Sequence, residues 1–162
     1  MTELAELADA FLKACKRRGI LSATAESCTG GSIIALLTDI PGSSSMVDRG
    51  FVTYSNEAKM EMLGVARETL DRYGAVSKET ALEMAAGALA RSRASIALAV
   101  TGIAGPDGGS AEKPVGLVWF GIAVEGQAPR AEKRQFENRG RDFIRKQTVR
   151  TSLELGIEAL GD

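Results

Sequence analysis

The 162-residue chain contains no histidine. That absence removes Ser-His-Asp and Cys-His nucleophile pairs and every histidine-ligated zinc scheme. Acid–base chemistry near neutral pH is left to a carboxylate, a tyrosine, a cysteine or a lysine whose pKa has been lowered. Cysteine is scarce too. Cys15 and Cys28 make no disulfide framework, and their separation fits no Cys-x-x-Cys metal or redox pattern. No run approaches the roughly 18 uninterrupted apolar residues of a membrane span, and the first turns are broken by Glu3, Glu6, Asp9 and Lys13. Neither signal peptide nor transmembrane segment is expected, and the reading is cytoplasmic. Neither sign of charge is in excess, with 20 basic against 21 acidic residues, and aromatics make up 5%. Nucleic acid and membrane are therefore not expected partners. No metal or cofactor is called for, and the length suits one domain over residues 1–162.

What is present reads as alternating elements. Leu4, Leu7, Ala8, Phe11, Leu12 and Cys15 fall at helical spacing, Thr2 can cap the start, and Lys16-Arg17-Arg18-Gly19 gives a basic last turn and a glycine stop. Residues 20–25 read as a strand. Ile33, Ile34, Leu37 and Ile40 mark a second helix ended by Pro41-Gly42. Residues 47–54 have strand composition, Ser55 or Asn56 caps the next helix, and Gly64 closes it. A short helix over 67–73 and a turn at Gly74 precede a helix capped by Ser77, with Leu82, Ala85, Ala86 and Leu89 on one face. Residues 94–100 form an apolar run suited to a strand covered on both faces. Residues 115–124 and 130–136 form a hairpin, and a last helix starts near Arg141 or Asp142. The order predicts an α/β fold, a three-layer α/β/α sandwich with a mixed sheet of about five strands.

Ligands of open α/β sheets lie outside the carboxyl ends of the strands, and Ser27, Tyr54 and Thr101 each end a different predicted strand. Ser27, in Thr24-Ala-Glu-Ser-Cys-Thr-Gly-Gly31, is either a nucleophile or the cap of the following helix. Lys59, about one turn into the next helix, can reach back as its base once desolvated, or can be one more solvated lysine. Cys28 is a rival nucleophile or a packing residue. The amides of Cys28, Thr29, Gly30 and Gly31 suit an oxyanion or a phosphate. The glycine-rich residues 102–110, with Gly102, Gly105 and Asp107, can wrap an anionic ligand, and they carry neither a Walker loop nor a dinucleotide fingerprint. Arg139, Arg141 and Arg145 sit near the start of the last helix, where arginine opposes the helix dipole unless an anion is close.

Four motifs in order, Thr24 to Gly31, Gly50-Phe-Val-Thr-Tyr-Ser-Asn-Glu-Ala-Lys59, Gly74-Ala-Val-Ser77, and Thr101-Gly-Ile-Ala-Gly-Pro-Asp-Gly-Gly109 with Lys113-Pro-Val-Gly116, resemble the C-terminal domain of the competence/damage-inducible CinA family. The resemblance spans residues 5–160. It implies a nicotinamide-nucleotide amidase that hydrolyses the carboxamide of nicotinamide mononucleotide to the acid and ammonia in pyridine-nucleotide salvage. It further implies a metal-independent serine/lysine mechanism and a homodimer. Carried over, the nucleophile falls on Ser27 and the base on Lys59, with Tyr54, Thr101 and Arg145 supporting or touching the nucleotide. Larger members carry an additional N-terminal domain that this sequence does not contain. Relatives commonly show Gly-Asp-Arg before the last helix, where this chain has Arg139-Gly140-Arg141.

Overall fold

A computed structural model describes residues 2–161. Thr2 accepts the Ala5 amide at the head of helix α1 (Glu3–Arg18), and Gly19 stops it in the left-handed region, its N–H donating to Cys15 and Lys16 carbonyls. Strand β1 (Ser22–Glu26), helix α2 (Ser32–Thr38), a 3-10 turn (Ser43–Ser45), and strand β2 (Val47–Val52) follow. Then come helices α3 (Asn56–Leu63), α4 (Arg67–Tyr73) and α5 (Lys78–Ala90), strands β3 (Ile96–Gly102), β4 (Leu117–Val124) and β5 (Arg130–Gln135), and helix α6 (Arg141–Ala159).

The sheet order is β2-β1-β3-β4-β5. β1 pairs parallel with β2 and β3, whereas β3–β4 and β4–β5 are antiparallel, so the sheet is mixed. The parallel half brings the C-terminal ends of β1, β2 and β3 to one edge, and the hairpin turn at residues 125–129 lies at the opposite end, where the Glu125 amide donates to the Ser95 carbonyl.

The two faces bury different side chains. Phe11, Ile96, Leu98, Val100, Phe120, Ile122 and Leu153 fill the side covered by α1, α2 and α6. Ala25, Ala97, Ala99 and Ala123 make the side covered by α3, α4 and α5. Small residues there let α5 lie close to the sheet: a Cβ on Gly121 would sit 2.2 Å from the Ala81 carbonyl oxygen. This proximity corrects the expected α5 face. Ala81, Met84, Ala85 and Ala88 are buried, Ala86 is exposed, and Leu82 and Leu89 are half-buried, because a floor of alanine takes the helix's small-residue stripe.

Element boundaries also shift: β3 runs Ile96–Gly102 rather than 94–100, and β4 starts at Leu117 rather than residue 115. β1 starts at Ser22 rather than residue 20 because the Ile20 amide is engaged at the end of α1, donating to the Cys15 carbonyl. β2 ends at Val52, and α2 ends at Thr38, before Pro41. No helix among the described residues is long and apolar enough to cross a membrane.

Candidate active site

Ser27 follows the last residue of β1, and its own amide donates to the Val100 carbonyl of β3 at 3.1 Å. The backbone then reverses: the Gly30 amide donates to the Ser27 carbonyl at 3.1 Å. Gly30 and Gly31 take φ of 60° and 105°, the left-handed region that glycine enters at no steric cost. α2 therefore begins after Gly31, and Ser27 is not its cap.

That helix is capped from an unexpected direction. The Glu26 carboxylate, fully buried, accepts the Ile33 amide at 2.9 Å and the Ile34 amide at 3.0 Å. It also accepts the Thr29 hydroxyl at 2.6 Å and that of Thr24 at 3.4 Å. Sequence reasoning passed over Glu26. The available signal was a carboxylate set between a strand of mostly small residues and a glycine turn, since a carboxylate buried at such a junction is tolerated only when its oxygens are paired.

Lys59 is buried on α3, 1% exposed, and its Nζ lies 3.0 Å from Ser27 Oγ, 3.1 Å from the Thr53 carbonyl oxygen and 3.3 Å from that of Tyr54. Burial lowers its pKa from 10.5, against a smaller opposing influence of Cys28. A neutral amine has two hydrogens and one lone pair, and carbonyl oxygens can only accept. With its hydrogens on Thr53 and Tyr54, the lone pair faces Ser27. This arrangement can receive the serine proton. Burial, by contrast, pushes the Cys28 thiol up to about 12, so Cys28 stays a neutral packing residue at neutral pH.

Ser27 and Lys59 form the floor of a cavity of about 310 Å³. Tyr54, Asn56, Ala75, Val76, Thr101, Gly102, Gly105, Asp107 and Arg141 are among its walls. Thr101 donates its hydroxyl to the Ala75 carbonyl at 2.8 Å, tying the end of β3 to the turn before α5. Arg141 donates to the Gly105 carbonyl at 2.8 Å and to the Tyr54 hydroxyl at 3.4 Å. Tyr54 is 64% exposed at the mouth, and its backbone carbonyl, not its phenol, meets Lys59. Asn56 lies one helical turn before Lys59, a spacing that puts both on one helix face.

Thr29, Gly30, Gly31 and Arg145 do not line this cavity. The Thr29 hydroxyl is turned inward to Glu26. Arg145 donates to the Cys28 carbonyl at 3.1 Å and the Thr29 carbonyl at 3.0 Å, so it grips the outer side of the turn. The Gly30 and Ser32 amides are engaged with the Ser27 and Thr29 carbonyls. Arg139 points elsewhere, its guanidinium 4.7 Å from the Phe143 ring centre.

The CinA C-terminal domain model matches residues 4–160. The nicotinamide-nucleotide amidohydrolase PncC of Escherichia coli (strain K12) is 49% identical over 153 residues, covering 94% of this chain and 92% of that protein. A putative competence-damage inducible protein of Acetivibrio thermocellus is 53% identical over 154 residues, 95% of this chain and 37% of the longer relative. Among solved structures, the competence/damage inducible protein CihA from Agrobacterium tumefaciens superposes with a TM-score of 0.95 at 52% identity, covering 100% of this chain and 98% of that one.

Proposed function

The chain belongs to the CinA C-terminal domain family, and from that premise we propose that it is a nicotinamide-nucleotide amidase, converting nicotinamide mononucleotide and water to nicotinic acid mononucleotide and ammonia. The observation that carries the reading is the buried Lys59 amine 3.0 Å from Ser27 Oγ, with carbonyls on its other contacts. Relatives named for this reaction at 49% identity support the substrate class.

Ser27 Oγ attacks the carboxamide carbon while its proton passes to Lys59 Nζ. The Cys28 amide, next to the nucleophile and donating to no backbone carbonyl among the described residues, is the donor assigned to the oxyanion in this reading. Collapse of the tetrahedral intermediate breaks the C–N bond, and Lys59 returns the proton to the departing nitrogen, releasing ammonia and leaving an ester on Ser27. Lys59 then takes a proton from water as it attacks the ester carbonyl, and gives that proton back to Ser27 Oγ as the acid leaves.

At the mouth, Arg141 and the amides of the glycine-rich loop receive the phosphate, and Tyr54 orients Arg141. The place in pyridine-nucleotide salvage follows from the substrate and product. Ammonia release from nicotinamide mononucleotide by the purified protein tests the reading, and no release above the uncatalysed rate would sink it. The homodimer implied by the family belongs to the same proposal, and a monomer mass by light scattering would overturn that part.

A further inference from the structure

We propose that Glu26 is a positioning residue for Ser27, its buried carboxylate clamping sheet to helix so that the intervening turn holds the hydroxyl against Lys59. The inference rests on the reading of Ser27 as nucleophile and extends it to a residue that touches neither substrate nor reacting atoms.

The backbone of Glu26 is fixed from both sides, in register with Val52 of β2 and Val100 of β3. Its carbonyl accepts the Thr53 amide at 2.8 Å. Its side chain crosses to the first turn of α2, where the Ile33 and Ile34 amides hold separate carboxylate oxygens. A rigid strand end and a rigid helix start are thereby joined, and only residues 27–31 lie between them.

The Thr29 hydroxyl, bonded to the same carboxylate, fixes the middle of that segment from inside. Arg145 fixes it from outside through the Cys28 and Thr29 carbonyls. An ordinary cap would come from the residue just before the helix, which is Gly31 and has no side chain. Here the cap comes from the residue before the nucleophile, so helix capping and nucleophile placement are one set of bonds.

Glu26 has no salt-bridge partner among the described residues, and its carboxylate is held by hydrogen-bond donors alone. Glu26→Gln keeps the shape but presents an NH₂ group to one set of those donors. Keeping the Thr29 and Ile33 bonds then leaves donor against donor at the Ile34 amide. The turn must shift to relieve this contact, and a displacement of about 1 Å at a reacting group can lower turnover about 100-fold.

The test compares wild type, Glu26→Gln and Thr29→Val in two assays: ammonia release from nicotinamide mononucleotide, and the rate at which a fluorophosphonate labels Ser27, read by intact mass. The second assay needs no substrate. Expected for Glu26→Gln is a fall in kcat of about 100-fold with KM unchanged, and slower labelling to match. Thr29→Val, which removes one donor, should show the same pattern at about 10-fold. Wild-type kcat and labelling in folded Glu26→Gln would overturn the proposal. So would a loss that disappears once the variant is assayed well below its melting temperature, which marks a purely structural role. Should Glu26→Gln fail to fold, Thr29→Val decides alone, and wild-type kcat there overturns the proposal. Wild-type protein that neither labels nor releases ammonia refutes the underlying reading, and this proposal with it. A wild type that does both while the variants match it refutes Glu26 alone.

Discussion

The floor and the mouth of the cavity are built on opposite plans. At the floor Ser27 and Lys59 are 8% and 1% exposed, and backbone groups set their contacts: β3 holds the Ser27 amide, and two carbonyls meet the Lys59 amine. At the mouth Tyr54 is 64% exposed and meets Arg141 through side-chain atoms. Desolvation acts strongly on the first pair and weakly on the second, because water screens charge at an exposed rim. The floor is thus suited to proton transfer and the mouth to holding a ligand. Substitutions at the two levels should separate in kind as well as in size.

The largest effect belongs to the floor. Ser27→Ala should lower kcat/KM for nicotinamide mononucleotide by about 10⁴-fold or more, with an unchanged melting temperature. Measurable turnover near the wild-type rate would erase the distinction between the two levels.

Lys59→Met should lower kcat about 10³-fold and leave the fold intact, since it replaces a buried amine by an apolar chain of similar length. The pH dependence follows from the direction of the Lys59 shift. Its folded-state pKa is below the 10.5 of the free group, so protonation at low pH removes the base and kcat should rise with pH, with a midpoint below 10.5. Stability has the same sign. Between the folded and unfolded pKa values the unfolded chain binds more protons, so wild-type stability rises with pH across that window. Any advantage of Lys59→Met in urea unfolding should narrow as pH is raised through it, and a widening gap would contradict the assignment.

The mouth should respond mainly in KM. Arg141→Ala is expected to raise KM about 10-fold with a small change in kcat, read from initial rates. A kcat collapse comparable to that of Lys59→Met would move Arg141 from binding to chemistry. The smallest effect returns to the floor. The Thr53 hydroxyl is buried without a partner among the described residues, and Thr53→Val, which keeps the carbonyl that meets Lys59, should raise stability by about 1 kcal/mol, measured by denaturant titration.

Helix starts were legible wherever a side-chain cap wrote them: Thr2, Ser55 and Ser77 each accept an amide as their positions foretold. The convergence of Ser27, Tyr54 and Thr101 on one cavity was legible as well, because three strand ends in an α/β order leave little choice of edge. Arg145 and Arg141 look equivalent in sequence. Only the packing of α6 decides that one grips the turn at Cys28 and Thr29 while the other faces the cavity. Glu26 escaped for a related reason: beside the Thr24 and Thr29 hydroxyls, two of its four donors are the Ile33 and Ile34 backbone amides, and only the path of the turn brings those within reach. The α5 face went wrong because hydropathy favours leucine over alanine, whereas the sheet beneath accepts the smaller side chain.

The hairpin turn at residues 125–129 has a practical consequence. Gln127 is exposed there, and the neighbouring Gly126 has open space around it. Both native thiols are buried, so a Gln127→Cys variant would offer maleimide reagents a single accessible sulfur at the end of the sheet away from the cavity. A dye placed there could report tumbling without touching the pocket. Immobilised through the same atom, the protein would present its opening to the flowing solution.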